Sequence, residues 1–230
     1  MLISLIRSGG VNVVTVIMYI LSVLLTIFLV LPLHECAHGF IAHKLGDDTA
    51  KREGRITLNP MKHIDYMGAA LMILIGFGWA KPVPINTRNF KKPKRDLALS
   101  ALAGPVSNLL AAIVAGLIKN GLAALCANRI LPLDEPMAYV FVFFQFLISI
   151  NIGLAVFNFI PVPPLDGSKI LMAFLPDKAI YWILERQQFI SMGLFVLLIL
   201  GGFNGIINIA SSFFENIISW LTFLPFSWAF

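Results

Sequence analysis

Apolar residues in this chain gather in long unbroken runs instead of alternating with polar ones. Four runs carry no charged side chain: Val11 to Leu33, Leu97 to Ile118, Met137 to Ile160 and Phe189 to Phe214. A bilayer core about 30 Å thick takes about 20 apolar residues as helix, so each run is predicted to cross a membrane. Two shorter runs, Tyr66 to Ala80 and Asn216 to Phe230, are expected to be re-entrant, interfacial or poorly spanning. The glycines and prolines of Gly76-Phe-Gly-Trp-Ala-Lys-Pro-Val-Pro-Ile-Asn86 suit no straight helix, and this stretch reads as extended chain or loop. Such backbone is tolerated at membrane depth only where protein or a wet cavity satisfies its polar groups. It is therefore expected to line a site.

Composition turns the pattern into a fold class. The 230 residues are 58% hydrophobic and 13% charged, with mean hydropathy +0.86, which excludes an ordinary soluble domain. The expected fold is an all-α polytopic membrane protein of about four to six membrane helices with a re-entrant segment. No internal repeat or long linker divides it, so residues 1–230 read as one membrane-embedded domain, with a functional core over about 11–170 and C-terminal helices over about 171–230. The first run is too long for a signal-peptide core and lacks a small-residue cleavage site, so it is expected to remain as a helix. Cys36 and Cys126 lie in or beside apolar stretches and read as packing residues.

Charge sets the orientation. A net charge of +5 suggests nucleic acid at first, but the basic residues sit in short loops between the spans, where they fix topology instead. Nucleic acid is not expected as a partner. Lys44, Lys51, Arg52, Arg55, Lys62, Lys81, Arg88, Lys91, Lys92, Lys94 and Arg95 all fall between the first two long spans, and Lys169, Lys178 and Arg186 follow the third; the opposite side receives Arg7, Lys119 and Arg129. The richer side is predicted to be cytoplasmic. Because basic residues flank Tyr66 to Ala80 on both sides, a dip into the membrane fits better than a crossing.

The chemistry is concentrated in His34-Glu35-Cys36-Ala37-His38. On a helix, His34 and His38 project from one face a turn apart, within reach of one tetrahedral zinc, and Glu35 stands beside it. This is the arrangement in which a glutamate takes a proton from water while the metal polarises a peptide carbonyl. Ionisable groups at the end of a membrane helix are costly without partners or a function. A catalytic site needs a third protein ligand. His43 lies about 140° around the helix from His38, and His63 in its loop suits a structural or substrate-binding role. Glu53, Glu135, Glu185 and Glu215 sit in polar loops or at span ends. Asp166, in Asn158-Phe-Ile-Pro161-Val-Pro163-Pro164-Leu-Asp166-Gly167, lies where the third span reaches the side on which the first one ends. It reads equally as a third ligand or as the N-cap of a helix starting near Ser168.

Three blocks together resemble the site-2 protease family of intramembrane zinc metalloproteases, in its short form without a PDZ domain. They are His34 to His38 followed by Leu45-Gly46-Asp47 and Gly54-Arg-Ile-Thr-Leu-Asn-Pro-Met-Lys-His-Ile-Asp65; Phe77-Gly-Trp-Ala-Lys-Pro-Val-Pro84 leading to Ala103-Gly-Pro-Val-Ser-Asn108; and Asn158-Phe-Ile-Pro161 with Pro164-Leu-Asp166-Gly167. The resemblance implies that Asp166 is the third zinc ligand, that Glu35 is the catalytic base, and that a transmembrane protein substrate is cut near the cytoplasmic face in the cell membrane of a prokaryote. It further implies a β-type membrane-embedded element near residues 76–86 that holds unwound substrate.

Asn108 and Asn158 read either as interhelical hydrogen-bonding residues, like Asn151, or as donors to the substrate carbonyl, and the resemblance favours Asn158. Pro32 is expected to kink the first helix, and Gly201, Gly202 and Gly205 to permit close packing. The alternative function is a catalytically inactive membrane zinc protein acting as a binding or chaperone-like module. A prenyl-peptide-processing type of protease would demand a glutamate as third ligand, and a small transporter would leave the paired motifs unexplained. A regulatory membrane partner or a homo-oligomer is compatible with the sequence.

Overall fold

The computed structural model describes residues 12–76 and 78–229; Arg7, Val11, Phe77 and Phe230 lie outside them. Helix α1 (Val13–Leu25) begins at Asn12, whose side chain accepts from Val14 N. It runs through a π-helical turn, Thr26–Val30, into α2 (Leu31–Lys44). The π turn lies just ahead of Pro32, whose ring removes a backbone donor. The charge-free run stops at Leu33, and the helix that carries it continues past His34 and His38 to Lys44. His34 therefore follows Val13 by about 32 Å of helix, roughly one hydrocarbon thickness.

Short α3 (Thr49–Arg52) precedes α4 (Tyr66–Ile75), which Asp65 caps at Gly68 N. Helix α5 (Pro93–Ala127) has Pro at its start and Pro105 inside it, and α6 (Glu135–Asn158) is capped by Asp134. Helices α7 (Asp166–Met172), α8 (Asp177–Glu185) and α9 (Gln187–Ile199) lead to α10 (Asn204–Phe223). Among the described residues four helices are long and apolar enough to cross a membrane: Val13–Lys44, Pro93–Ala127, Glu135–Asn158 and Asn204–Ala229.

The fourth span corrects the expectation. Phe189 to Phe214 is not one helix, because α9 ends and Gly201 takes φ +75°, a conformation that favours glycine and stops a helix. The glycines make a break, not a packing seam; a Cβ placed on Gly205 would meet nothing within 4 Å. The crossing helix begins at Asn204 and takes in most of Asn216 to Phe230, the stretch expected to span poorly. Glu215 is accommodated inside it by accepting from Ser149 Oγ at 2.9 Å.

Small residues let the spans approach. Ala112 and Ala115 of α5 pack with Leu147, Ile148 and Ile152 of α6 and Ile218 of α10. Tyr19, Val23, Ile27 and Leu31 pack with Met72 of α4. Leu110, Val114, Ile209 and Phe213 remain exposed, as lipid-facing side chains are. Between α4 and α5, residues 78–86 form no helix and Thr87–Asn89 make a single 3-10 turn. The β-type pairing of this stretch is limited to a bridge between Ile64 and Ala80 and to Lys81 N donating to His63 O at 2.7 Å; no strand is present among the described residues.

Candidate metal centre

His34 and His38 stand a turn apart on α2, and their Nε2 atoms come within 3.0 Å of each other. Asp166 Oδ2 lies 3.3 Å from His34 Nε2 and 3.0 Å from His38 Nε2. These three atoms form a near-equilateral triangle. Tetrahedral zinc with bonds of about 2.0–2.1 Å needs ligand atoms roughly 3.3 Å apart, so the donor set fits the ion. All three side chains are buried. Burial alone would favour protonated Asp166, but His38, His34 and Lys169 hold its carboxyl far below the usual range. That is the direction a metal-binding carboxylate requires, since such a group binds as the anion.

The outer ring nitrogens are also placed. His34 Nδ1 meets Asn108 Oδ1 at 3.0 Å, and His38 Nδ1 meets the Ser100 carbonyl at 2.7 Å. Both acceptors require the proton on Nδ1, an assignment made from the hydrogen bonding, and this leaves each Nε2 lone pair facing inward. Ser100 Oγ donates in return to the His38 carbonyl at 3.0 Å. Such close contact between α2 and α5 depends on Gly104. A Cβ there would lie 2.3 Å from His38 Nε2 and 2.5 Å from His34 Nε2.

Glu35 completes the cluster. Its Oε2 accepts from Val83 N at 2.9 Å, and His34, Glu35 and His38 have donor atoms within 4.8 Å of one another. A cleft of about 500 Å³ opens beside them, bordered by Trp79, Val83, Asn158, Asp166 and Phe195. It holds carboxylate and imidazole next to a metal-sized triangle of donors. That is the equipment for hydrolysing a peptide bond.

Over 176 residues the chain is 38% identical to the protein named "Putative zinc metalloprotease YwhC" of Bacillus subtilis, a match spanning 76% of this chain and 78% of the relative. The chain belongs to peptidase family M50, the site-2 protease family. The model of peptidase family M50 itself matches residues 129–201, the stretch that includes Asn158 and Asp166. Two further M50 relatives carry the name "Putative zinc metalloprotease Rip2". The one from Mycobacterium tuberculosis is 28% identical over 83% of this chain and 69% of its own length. That from Mycolicibacterium smegmatis is 26% identical over 76% and 65%. No solved structure matches the chain.

In this M50 chain the structure brings His34, Glu35, His38, Asn108 and Asp166 together and puts Asn158 on the cleft. Asp166 opens α7, and the N-cap is Leu165, without a side-chain cap bond, so the capping role is not what its carboxylate does. Asn108 Nδ2 has no hydrogen-bond partner, whereas Asn158 Nδ2 donates to the Leu154 carbonyl at 3.0 Å. His43 turns away to Asp48. His63 is buried and donates from Nε2 to the Thr57 carbonyl at 2.8 Å, and burial pushes its pKa down.

Four residues near this site had no role assigned from sequence. Val83 lies between Pro82 and Pro84, so within that tripeptide only Val83 has an N–H to offer Glu35; this signal was readable. Arg55 Nη2 donates to the carbonyls of Lys81 at 2.8 Å and Pro82 at 3.1 Å. Asp47 accepts from Asn86 N at 2.7 Å and Asn89 Nδ2 at 2.8 Å. Burial pulls Asp47 upward, and hydrogen bonds from Thr49, Asn89 and Asn86 outweigh it, so its carboxyl stays below the usual range. Ser100 acts through its backbone carbonyl, which no residue pattern announces.

Proposed function

We propose that His34, His38 and Asp166 hold the zinc of this intramembrane metalloprotease and that Glu35 is its general base. The observation that carries the assignment is the buried triangle of two Nε2 atoms and one carboxylate oxygen, with each outer ring nitrogen already bonded. Zinc, when bound, supplies a Lewis acid that acidifies water and polarises a peptide carbonyl. Glu35 takes the proton of the attacking water on the carboxylate oxygen not held by Val83 N–H, then delivers it to the leaving amine. Val83 fixes the carboxylate in place. Asn158, on the cleft wall, is the amide that orients the substrate carbonyl, while Asn108, fully buried and bonded to His34 Nδ1, steadies the imidazole.

The substrate is a transmembrane segment of a membrane protein, unwound alongside the extended residues 79–85. A helix hides its peptide bonds, and the backbone groups of this stretch not already held by His63, Arg55 and Glu35 pair with them once freed. This gives residues 76–86 the role of a re-entrant, partly β-type element. The basic loops on the same side as the site support cleavage near the cytoplasmic face. Residues 1–230 act as one domain, with the catalytic core over about 11–170.

The test uses purified protein and a membrane-protein substrate. Glu35→Gln is expected to keep stoichiometric zinc and lose cleavage by at least about a thousandfold, the scale on which removing a general base and its proton transfer acts. Asp166→Asn is expected to release zinc. Retained turnover in the first variant, or full zinc in the second, overturns the assignment.

A further inference from the structure

A second cavity, of about 610 Å³, lies at the start of α5, where that helix meets α7. Its floor is apolar, built from Ala98, Leu99 and Leu102 of α5 and from Ile170 and Phe174 on the α7 side. Its rim carries Lys92, Lys94 and Arg95. Phe174 is 82% exposed, so the groove offers open apolar surface beside cations.

The two chemistries follow one another along α5 in a fixed order. Basic residues occupy the end of the span, and the charge-free run begins at Leu97. A phospholipid with an anionic head has the same order: phosphate at the level of the cations, acyl chain one turn deeper. Acidic groups at the rim leave an excess of positive charge. Asp177 takes Lys94 Nζ at 2.7 Å and Asp96 takes Arg95 Nη2 at 2.7 Å. Lys91 and Lys92 are exposed and have no ion-pair partner among the described residues.

We propose that this groove binds one anionic phospholipid, its phosphate against Lys92 and Arg95 and one acyl chain over Ala98, Leu99 and Leu102. Helix α7 begins at Asp166, so the bound lipid braces the far end of the helix that presents this carboxylate. That consequence rests on the zinc assignment above; the binding itself does not.

The experiment is native mass spectrometry of the full chain, delipidated in detergent and offered phosphatidylglycerol and phosphatidylcholine of matched chain length. One phosphatidylglycerol is expected to be retained in preference, and Lys92→Gln, Lys94→Gln and Arg95→Gln are expected to weaken retention by about fivefold per charge. Ala98→Trp fills the floor without altering charge and is expected to weaken it too. Zinc content, read on the same samples, reports that each variant remains folded. Where a Gln variant loses zinc, Ala98→Trp alone carries the test. Equal retention of the two lipids by the wild type, or an unchanged preference in the variants, overturns the proposal. A preference lost with the charges but untouched by Ala98→Trp assigns a bare anion site and overturns the phospholipid. Retention is read without substrate, so its failure leaves the zinc assignment standing.

Discussion

On the helical wall of the cleft His34 and His38 are fixed by Asn108 and Ser100 of a neighbouring helix, whereas on the opposite wall residues 79–89 hang from backbone hydrogen bonds to Arg55, His63, Glu35 and Asp47. The first wall is rigid because both elements are long helices pressed together at Gly104. There, added volume goes straight into the two imidazoles. The second wall has no ladder of its own, so its shape is borrowed from side chains that reach its peptide groups. The difference predicts that damage to the helical wall costs metal and damage to the extended wall costs turnover.

The largest effect is expected from Gly104→Ala. Its Cβ would stand 2.3 Å from His38 Nε2, so zinc and activity should both be lost while the helical circular-dichroism signal persists. Full zinc in this variant would break the contrast. Next comes Asn108→Ala, which frees His34 Nδ1; zinc affinity should fall by about 10–100-fold, the range for removing the hydrogen-bond partner of a metal-binding imidazole, measured by competition with a chelator. Arg55→Lys should sharpen the contrast from the other side. One ammonium cannot reproduce the paired guanidinium contacts, so kcat/KM should drop about tenfold with zinc content unchanged. Loss of zinc here would mean that the two walls are not separate.

The smallest effect is tied to pH. Asp47 has a depressed folded-state pKa, so its contribution to stability is present above the unfolded value of about 3.9 and is lost as pH falls through the folded one. Asp47→Asn should therefore melt earlier than wild type at pH 7, with the gap closing below about pH 4. A gap that persists in acid would show that Asp47 contributes through packing alone.

Legibility followed the same division. His34, Glu35 and His38 could be read as a site because a four-residue spacing on a helix has one spatial meaning. Chain position alone leaves Asp166 even between ligand and cap, since its approach depends on how the chain after Asn158 folds back, and only the family resemblance favours the ligand. Arg55 offered no signal: it looks like one more basic loop residue until Lys81 and Pro82 arrive beside it. The break at Gly201 was likewise missed, because hydropathy counts apolar residues and is blind to a single left-handed dihedral.

The sequence by itself determined that the chain lives in a membrane as helices and that it carries a two-histidine, one-glutamate metal motif. Both rest on local properties, run length against bilayer thickness and spacing against helix pitch. Only the tertiary structure brought the Asp166 carboxylate within reach of both imidazoles and decided which groups steady them, where the fourth span begins and how the extended wall is hung. Those outcomes depend on contacts between residues far apart in the chain, such as His34 with Asn108 and Arg55 with Pro82. No local period records them.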